Sequence, residues 1–254
     1  MSFIKIADDI HLYENFVSEK DCANVIGLLN KMSSLDKDFY KGISFYESYS
    51  SRYPHDGDPI LNDFNLSPTW FPDLEKRFKQ TVSNLANVAF EKVSKIGFHI
   101  QKWEPGAYAN IHSDNSDNDG KLGAFTRSRY AGFLYLNDDF EGGFLRFQET
   151  KDRPEIIITP KTGSFLVFHG GHKNLHEVTL VKKSSRFTLG SFWDDREESD
   201  YPEETRKEWA EELAKIRAIQ KEENEVWKDI RESGLRLSKQ GEKYSAEEVL
   251  KTYE

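Results

Sequence analysis

The feature that most limits the fold of this chain is a central segment of short alternating runs, from Gly97 to Asp194. Apolar residues, mostly Phe, Tyr, Ile and Val, alternate there with polar ones, and Gly, Asn-Asp and Lys-Lys-Ser-Ser turns separate the runs. This pattern is typical of half-buried antiparallel strands joined by tight turns. We therefore predict a β-rich core over residues 96–195, preceded by supporting strands and helices in residues 1–95.

Two helices are predicted before this core. Ser18 resembles an N-cap, so a first helix should run from there to about Met32, with Cys22 as a buried small hydrophobe. Apolar residues at helical spacing predict a second helix from Pro72 to about Lys95. The chain is therefore expected to be of the α+β class.

A helical C-terminal extension is predicted for residues 196–254, where Glu, Lys and Arg become abundant. Apolar residues at helical spacing favour a long amphipathic helix over residues 202–232, and a capping box at Ser245 favours a short last helix. Residues 1–195 then form one domain and the extension a second unit, which packs on the same chain or joins two copies.

Composition excludes several classes of protein. A net charge of −9 and a pI near 5.4 argue against unaided binding to nucleic acid or to an anionic membrane. The single cysteine forms no intramolecular disulfide and fits a reducing compartment. The start of the chain lacks the pattern of a secretion signal, and no apolar run approaches the ~20 residues of a membrane span. We expect a cytoplasmic monomer or homodimer.

A metal site is predicted at the tripeptide His112-Ser113-Asp114. Residues two apart on an extended segment project from the same side, so His112 and Asp114 can hold one ion together. For the third ligand the chain offers His169, His172 and His176, and we choose His176 because it opens a predicted strand. Two histidines and one carboxylate leave three positions open, an arrangement typical of non-haem Fe(II) oxygenases.

Arg186 follows His176 across the turn Lys182-Lys183-Ser184-Ser185. An odd number of residues between two facing strands keeps both side chains directed inward. A guanidinium buried near a metal needs an anion, and its fork geometry suits a carboxylate. We expect this anion to be the distal carboxylate of 2-oxoglutarate, with a second hydrogen bond from Tyr135.

The ordered set of motifs resembles the Fe(II)/2-oxoglutarate-dependent dioxygenases, in particular their prolyl 4-hydroxylase-like branch. The resemblance is carried by H-x-D, Y-L-N-D…E-G-G, G-S-F-L-V-F, L-H-E-V and R-F-T-L-x-S-F-W, in this order. It implies a double-stranded β-helix, or jelly-roll, fold. It also implies that His112, Asp114 and His176 bind iron, that Arg186 and Tyr135 bind the co-substrate, and that hydroxylation consumes 2-oxoglutarate and O2 to give succinate and carbon dioxide. Ascorbate is implied as a reductant.

Two positions depart from the branch. Many prolyl 4-hydroxylases have Lys at the position of Arg186, and many have Tyr at the position of Trp103. An indole donates one hydrogen bond and accepts none, so the co-substrate contacts differ on that side, and Tyr108 is a partial replacement. Thr188 completes the expected co-substrate pocket.

Substrate-binding residues are less clearly indicated. Arg127 and Arg129 lie in a loop after the predicted iron ligands and are candidates to bind a substrate carboxylate or peptide backbone; ordinary surface charge is the competing interpretation. Trp193 is a candidate wall for a substrate ring, or else a barrel-rim aromatic. Tyr49 and Arg52 belong to an aromatic stretch that forms either a lid or a surface meander.

The resemblance implies an enzyme that hydroxylates proline in a peptide or protein, most simply at C4 as in prolyl 4-hydroxylases acting on procollagen proline. A hydroxylase of a free amino acid or small amine would use the same core. A cupin-like jelly roll that binds a metal or ligand without redox chemistry is the non-enzyme alternative.

Overall fold

The structure is a computed structural model that describes residues 1–35, 49–52, 70–122, 125–208, 210–211, 214, 235–237 and 243–245. The helices are α1, Glu19–Leu35, and α2, Trp70–Ala86. The first seven strands are β1 Ser2–Ala7, β2 Ile10–Glu14, β3 Tyr49–Arg52, β4 Ser94–Trp103, β5 Ala109–His112, β6 Tyr130–Tyr135 and β7 Glu141–Gly142. The later strands are β8 Leu145–Phe147, β9 Ile156–Ile158, β10 Phe165–His169, β11 His176–Val178, β12 Val181–Lys183, β13 Arg186–Asp194, β14 Leu235–Leu237 and β15 Lys243–Ser245.

The core consists of two antiparallel sheets. A seven-stranded sheet has the order β1-β2-β10-β6-β13-β4-β3, and a four-stranded sheet has the order β5-β11-β8-β9. Buried apolar residues from both sheets form one shared cluster, in which Tyr135 and Leu166 of the larger sheet join Phe147 and Val178 of the smaller one. The fold is the double-stranded β-helix that the sequence resemblance implied, with helices supporting it.

Strand β13 contributes side chains to both buried clusters of the protein, because its side chains alternate between the two faces of the larger sheet. Phe187 and Leu189 belong to the apolar cluster that the helices cover. Arg186 and Thr188 point the other way, next to Trp103 and Tyr135 of the cluster between the sheets. The interior between the two sheets therefore receives every second residue of β13.

Helix α1 begins as predicted. The Ser18 hydroxyl accepts a hydrogen bond from the Asp21 backbone N–H at 3.1 Å, which caps the first turn. Cys22 is fully buried, and burial raises the pKa of its thiol to about 12. It is the small core residue that the sequence predicted.

Helix α2 ends earlier than the sequence predicted, at Ala86 instead of about Lys95. Asn87 adopts a left-handed conformation with φ 55°, and the Val88 N–H bonds back to the Ser83 carbonyl at 3.1 Å. This is the hydrogen-bond pattern of a Schellman C-cap, which apolar periodicity does not reveal. The buried side chains of α2 include Leu74, Phe78 and Val82, as predicted.

The C-terminal extension is described only in part. Residues 203–208 are helical, in agreement with the predicted start of the long helix, and most of the rest of that helix lies outside the described residues. Strands β14 and β15 pair antiparallel, with Leu235 opposite Ser245. The predicted last helix after Ser245 also lies outside the described residues. No helix in the described part of the chain is long and apolar enough to cross a membrane.

Candidate active site

The three predicted metal ligands meet on the smaller sheet. His112 ends β5 and pairs directly with His176 at the start of β11, and Asp114 follows β5 by two residues. His112 Nε2 lies 3.9 Å from Asp114 Oδ1, and His176 Nε2 lies 3.6 Å from Asp114 Oδ2. The ligand atoms of all three residues lie within 4.8 Å of one another, and theirs is the one such group found in the described part of the chain.

The protonation of both histidines suits metal binding. His112 Nδ1 lies 2.6 Å from the Asn110 carbonyl oxygen, and His176 Nδ1 lies 2.9 Å from that of Asn174. A carbonyl oxygen only accepts, so both Nδ1 atoms carry the proton, which leaves the Nε2 lone pairs directed at the common centre.

Asp114 completes the donor set. Burial raises the pKa of its carboxyl group while His176 lowers it, and Asp114 Oδ2 has no hydrogen-bond partner among the described residues. A buried carboxylate oxygen without a partner is costly unless a cation binds it. The two imidazoles and this carboxylate therefore fit a divalent ion with three open positions, as in Fe(II) oxygenases.

Arg186 is the second unusual group in the interior between the sheets. It is only 2% exposed, and its Nε and Nη1 atoms have no hydrogen-bond partner among the described residues. Its guanidinium carbon lies 5.1 Å from the ring centroid of Trp103 and 5.3 Å from that of Tyr135. Burial lowers the pKa of Arg186, and the neighbouring Tyr135 opposes that shift. A buried cation with free donors requires an anion, and the fork of donors favours a carboxylate.

Space for Arg186 comes from the Glu-Gly-Gly segment at the end of β7. Gly143 has φ 61°, a conformation that side chains rarely adopt. A Cβ there would lie 3.0 Å from Arg186 Cδ and 3.1 Å from the Phe140 ring. Gly143 thus serves both this backbone conformation and the packing around Arg186.

Sequence reasoning missed two polar residues of the inner face. Gln101 Oε1 accepts a hydrogen bond from the Thr188 hydroxyl at 2.8 Å, and Gln101 and Tyr135 are the strand partners of Thr188 on either side. His99, two residues before Gln101 on β4, lies opposite Gly190 of β13. Burial lowers the pKa of His99 to about 3, so its ring is neutral. Counting every second residue back from Trp103 on β4 finds both positions.

Trp193 is not placed at the substrate site. It is fully buried in the cluster beneath the helices, where its ring lies 5.7 Å from that of Phe98 in an edge-on arrangement. Trp193 is an odd number of residues after Arg186, so strand alternation directs it to the opposite face. The interpretation of Trp193 as a wall for a substrate ring is wrong.

Arg127 and Arg129 are engaged in ion pairs within the protein. Arg127 Nε donates to Asp194 Oδ2 at 2.8 Å, and Arg129 Nε lies 2.9 Å from Asp195 Oδ1. Asp194 is fully buried and also accepts from the Tyr201 hydroxyl at 3.0 Å. The two arginines therefore fasten the loop after the metal ligands to the end of β13, and their contact with substrate stays a prediction.

The remaining candidate residues are Tyr108, Tyr49 and Arg52, of which the structure describes the last two only in part. Tyr108 is half-buried in the loop directly before β5. Strand β3, which contains Tyr49 and Arg52, pairs with β4 along the edge of the larger sheet, opposite Trp103 to Ile100. The side chains of Tyr49 and Arg52 lie outside the described part of the structure, as does the remainder of the predicted lid.

An Arg127→Ala variant is expected to be less stable by about 1–3 kcal/mol, because it leaves part of a buried carboxylate without its donor. Urea unfolding of the variant and of an Arg146→Ala control measures the difference, since Arg146 forms ion pairs on a more exposed surface. The affinity for 2-oxoglutarate should not change. A variant of unchanged stability with weaker peptide binding would instead support a substrate role for Arg127.

The fold and the site together define a class of protein. A double-stranded β-helix that brings two histidines and an aspartate together and also contains a buried arginine has the architecture of the 2-oxoglutarate-dependent Fe(II) oxygenases. Residues 98–194 match the family model described as the 2OG-Fe(II) oxygenase superfamily. This segment of the chain is therefore similar to the 2OG-Fe(II) oxygenases in sequence as well as in fold.

Several known proteins similar to this chain are named as prolyl hydroxylases. Prolyl 3-hydroxylase 3 of Homo sapiens is 34% identical over 109 residues, which are 40% of this chain and 14% of that protein. A prolyl-4-hydroxylase from Pseudomonas putida has a TM-score of 0.54 at 17% identity, covering 74% of this chain and 94% of that one. A prolyl hydroxylase from Trichoplax adhaerens, in complex with a hypoxia inducible factor peptide fragment, has a TM-score of 0.55 at 16% identity, covering 80% of this chain and 87% of that one.

The structural matches and the sequence matches support different conclusions. The structural matches share the fold with this chain at low sequence identity. The match to the curated relative spans about one seventh of that relative's length. The comparisons thus show a similarity to the oxygenase family over residues 98–194 and a shared fold.

Proposed function

We propose that this chain is an Fe(II)- and 2-oxoglutarate-dependent hydroxylase that acts on a prolyl residue of a peptide or protein. The observation that carries the proposal is the combination of a facial His112–Asp114–His176 donor set with the buried guanidinium of Arg186 in one β-helix. The metal donors need a divalent ion and the guanidinium needs a carboxylate. A keto diacid whose keto-acid end binds the ion and whose far carboxylate binds Arg186 satisfies both.

His112, Asp114 and His176 would hold Fe(II), which supplies the activation of O2 and the oxidation of a substrate C–H bond. The residues of the chain bind, orient and exclude water. The backbone carbonyls of Asn110 and Asn174 hold the rings of His112 and His176 with Nε2 directed at the metal-binding centre. The rings of Phe168 and Phe147, at 4.8 Å and 5.6 Å from the His176 ring, keep that side of the site apolar.

The surroundings of Arg186 suit a carboxylate. Arg186 would neutralise the distal carboxylate, and the buried Tyr135 hydroxyl beside it would donate a hydrogen bond to the same group. Burial raises the pKa of Tyr135 while Arg186 lowers it, so the hydroxyl keeps its proton near neutral pH. Ionic hydrogen bonds formed away from water are stronger than their exposed counterparts.

Support for a prolyl substrate comes from the relatives. The curated relatives are named as prolyl 3-hydroxylases, and solved structures of the same fold are prolyl 4-hydroxylases or a prolyl hydroxylase with a peptide. The position hydroxylated is a separate question, because these two groups are named for different carbons. Hydroxylation at C4, as the motifs predicted, stays a prediction.

The test is turnover of labelled 2-oxoglutarate by the Fe(II)-loaded chain, with ascorbate, in the presence of prolyl peptides, free proline and other free amino acids. We expect peptide-dependent release of succinate in equal amounts with a hydroxyproline product, whose 3- or 4-isomer is identified by chromatography after hydrolysis. Stimulation by free amino acids alone would contradict the peptide substrate. Binding of 2-oxoglutarate without any turnover would favour the cupin-like alternative.

A further inference from the structure

We infer that two asparagine side chains, Asn174 and Asn137, position His176 and Arg186 through the backbone beside them. Neither asparagine side chain is a predicted metal or co-substrate contact. Each instead bonds to groups that fix where its functional neighbour lies. The roles of His176 and Arg186 in this inference rest on the proposed function.

Asn174 is fully buried, two residues before His176, and its carbonyl oxygen is the acceptor for His176 Nδ1. Its side chain is bonded at every polar position. Nδ2 donates to Asp9 Oδ2 at 2.8 Å and to the His169 carbonyl at 2.9 Å, and Oδ1 accepts from Arg153 Nη1 at 2.8 Å. The Asn174 N–H donates to the Gly171 carbonyl at 2.8 Å.

These partners come from distant parts of the chain. Asp9 lies in the turn between β1 and β2, and its own carbonyl also accepts from the His169 N–H at 3.0 Å. Arg153 lies between β8 and β9, with its Nη1 atom 3.6 Å from Asp9 Oδ1. The short turn His172–Asn174 is therefore held by three separate segments. Its fixed carbonyl orients the ring of His176, as outer-shell hydrogen bonds do in metal sites.

Asn137 does the same for Arg186. Its Nδ2 donates to the Ser185 carbonyl at 2.8 Å, and its Oδ1 accepts from the Phe187 N–H at 2.7 Å. These two groups flank Arg186 on both sides along the backbone. Nδ2 also donates to Asp139 Oδ1 at 2.7 Å, which fixes the amide plane. The first residue of β13 is thereby held in register where the strand leaves the turn at Ser184, which has φ 59°.

An amide is required at both positions because each side chain must donate and accept at once. Alanine removes both functions. Aspartate keeps the acceptor but loses the donor, and at position 174 it would also face Asp9 and the His169 carbonyl. The two asparagines act on different ligands, so their loss should separate into two different binding defects.

The test measures two affinities in the full-length chain: that of Co(II), followed by its visible absorbance, and that of 2-oxoglutarate for the Co(II)-saturated protein, by calorimetry. Asn174→Ala should weaken Co(II) binding about 10–100-fold and change the Co(II) spectrum, with little effect on 2-oxoglutarate at saturating metal. Asn137→Ala should weaken 2-oxoglutarate binding about tenfold and leave Co(II) binding unchanged. Asn24→Ala, on the exposed side of α1, is the control and should change neither.

Equal weakening of both ligands by both variants, in proportion to lost thermal stability, would overturn the inference, as would no effect of either. If Asn174→Ala does not fold, the exchange Asp9→Asn with Asn174→Asp restores one donor–acceptor pair without changing net charge. We expect this exchange to bind Co(II) more tightly than Asn174→Asp alone, and no such recovery would also contradict the inference. Neither measurement involves a peptide, so a failure to hydroxylate proline would count against the proposed function and not against this positioning.

Discussion

An Arg186→Met variant is expected to lose 2-oxoglutarate binding and yet, without ligand, to be at least as stable as the wild-type protein. The guanidinium is buried, and its Nε and Nη1 atoms have no partner in the described part of the chain. Methionine keeps an unbranched apolar stem that ends near the position of Nε, and it has no charge to desolvate. Replacing buried charge with well-packed apolar groups is neutral or stabilising by about 1–4 kcal/mol.

The loss of binding should be large, because the distal carboxylate would be buried without a cation. Removal of one partner of a buried charge pair costs about 2–5 kcal/mol, which corresponds to a factor of roughly 30 to several thousand in Kd. Calorimetry measures the affinity and thermal unfolding without 2-oxoglutarate measures the stability. Arg146→Met, a change on the outer surface, is the matched control. An unchanged Kd for 2-oxoglutarate would remove Arg186 from the co-substrate site.

An Asp114→Ala variant is expected to lose Fe(II) binding and with it essentially all turnover. The carboxylate bridges the space between the two histidine Nε2 atoms, at 3.9 Å and 3.6 Å. Loss of an outer-shell partner alone weakens metal binding about 10–100-fold, so loss of a direct ligand should exceed the upper end of that range. Titration of the metal-free protein with Fe(II) under anaerobic conditions measures the effect.

The control for this variant is Asp119→Ala, in the exposed part of the same loop. It should bind Fe(II) as the wild-type protein does. An Asp114→Ala protein that kept full iron-dependent turnover would show that the carboxylate is not a ligand. The donor set would then have to be found elsewhere.

The site was predictable where a motif and strand alternation act together. His112 and Asp114 are close in sequence, and Arg186 begins a strand whose pattern is plain. The same alternation, applied consistently from Arg186, would have directed Trp193 to the opposite face. That prediction failed because proximity to the strand end was given more weight than the parity of the position.

The ion pairs could not be predicted, since they join residues that are far apart in sequence. Arg127 and Arg129 resemble mobile loop arginines until the fold brings Asp194 and Asp195 beside them. Asn174 is likewise unremarkable in the sequence, because its partners Asp9 and Arg153 come from other segments. Helix α2 ended early at Asn87 because a left-handed cap overrides apolar periodicity.

The contact between Asp9 and Asn174 has a consequence for biogenesis. It joins the first hairpin to the turn before the last metal ligand, residues made at opposite ends of the domain's synthesis. Proteins dominated by such distant pairings fold slowly, because long loops must close before the contacts form. Asn174 can meet Asp9 only after the chain between them, a separation of 165 residues, has closed into a loop, so we expect a metal ion to enter a largely folded domain.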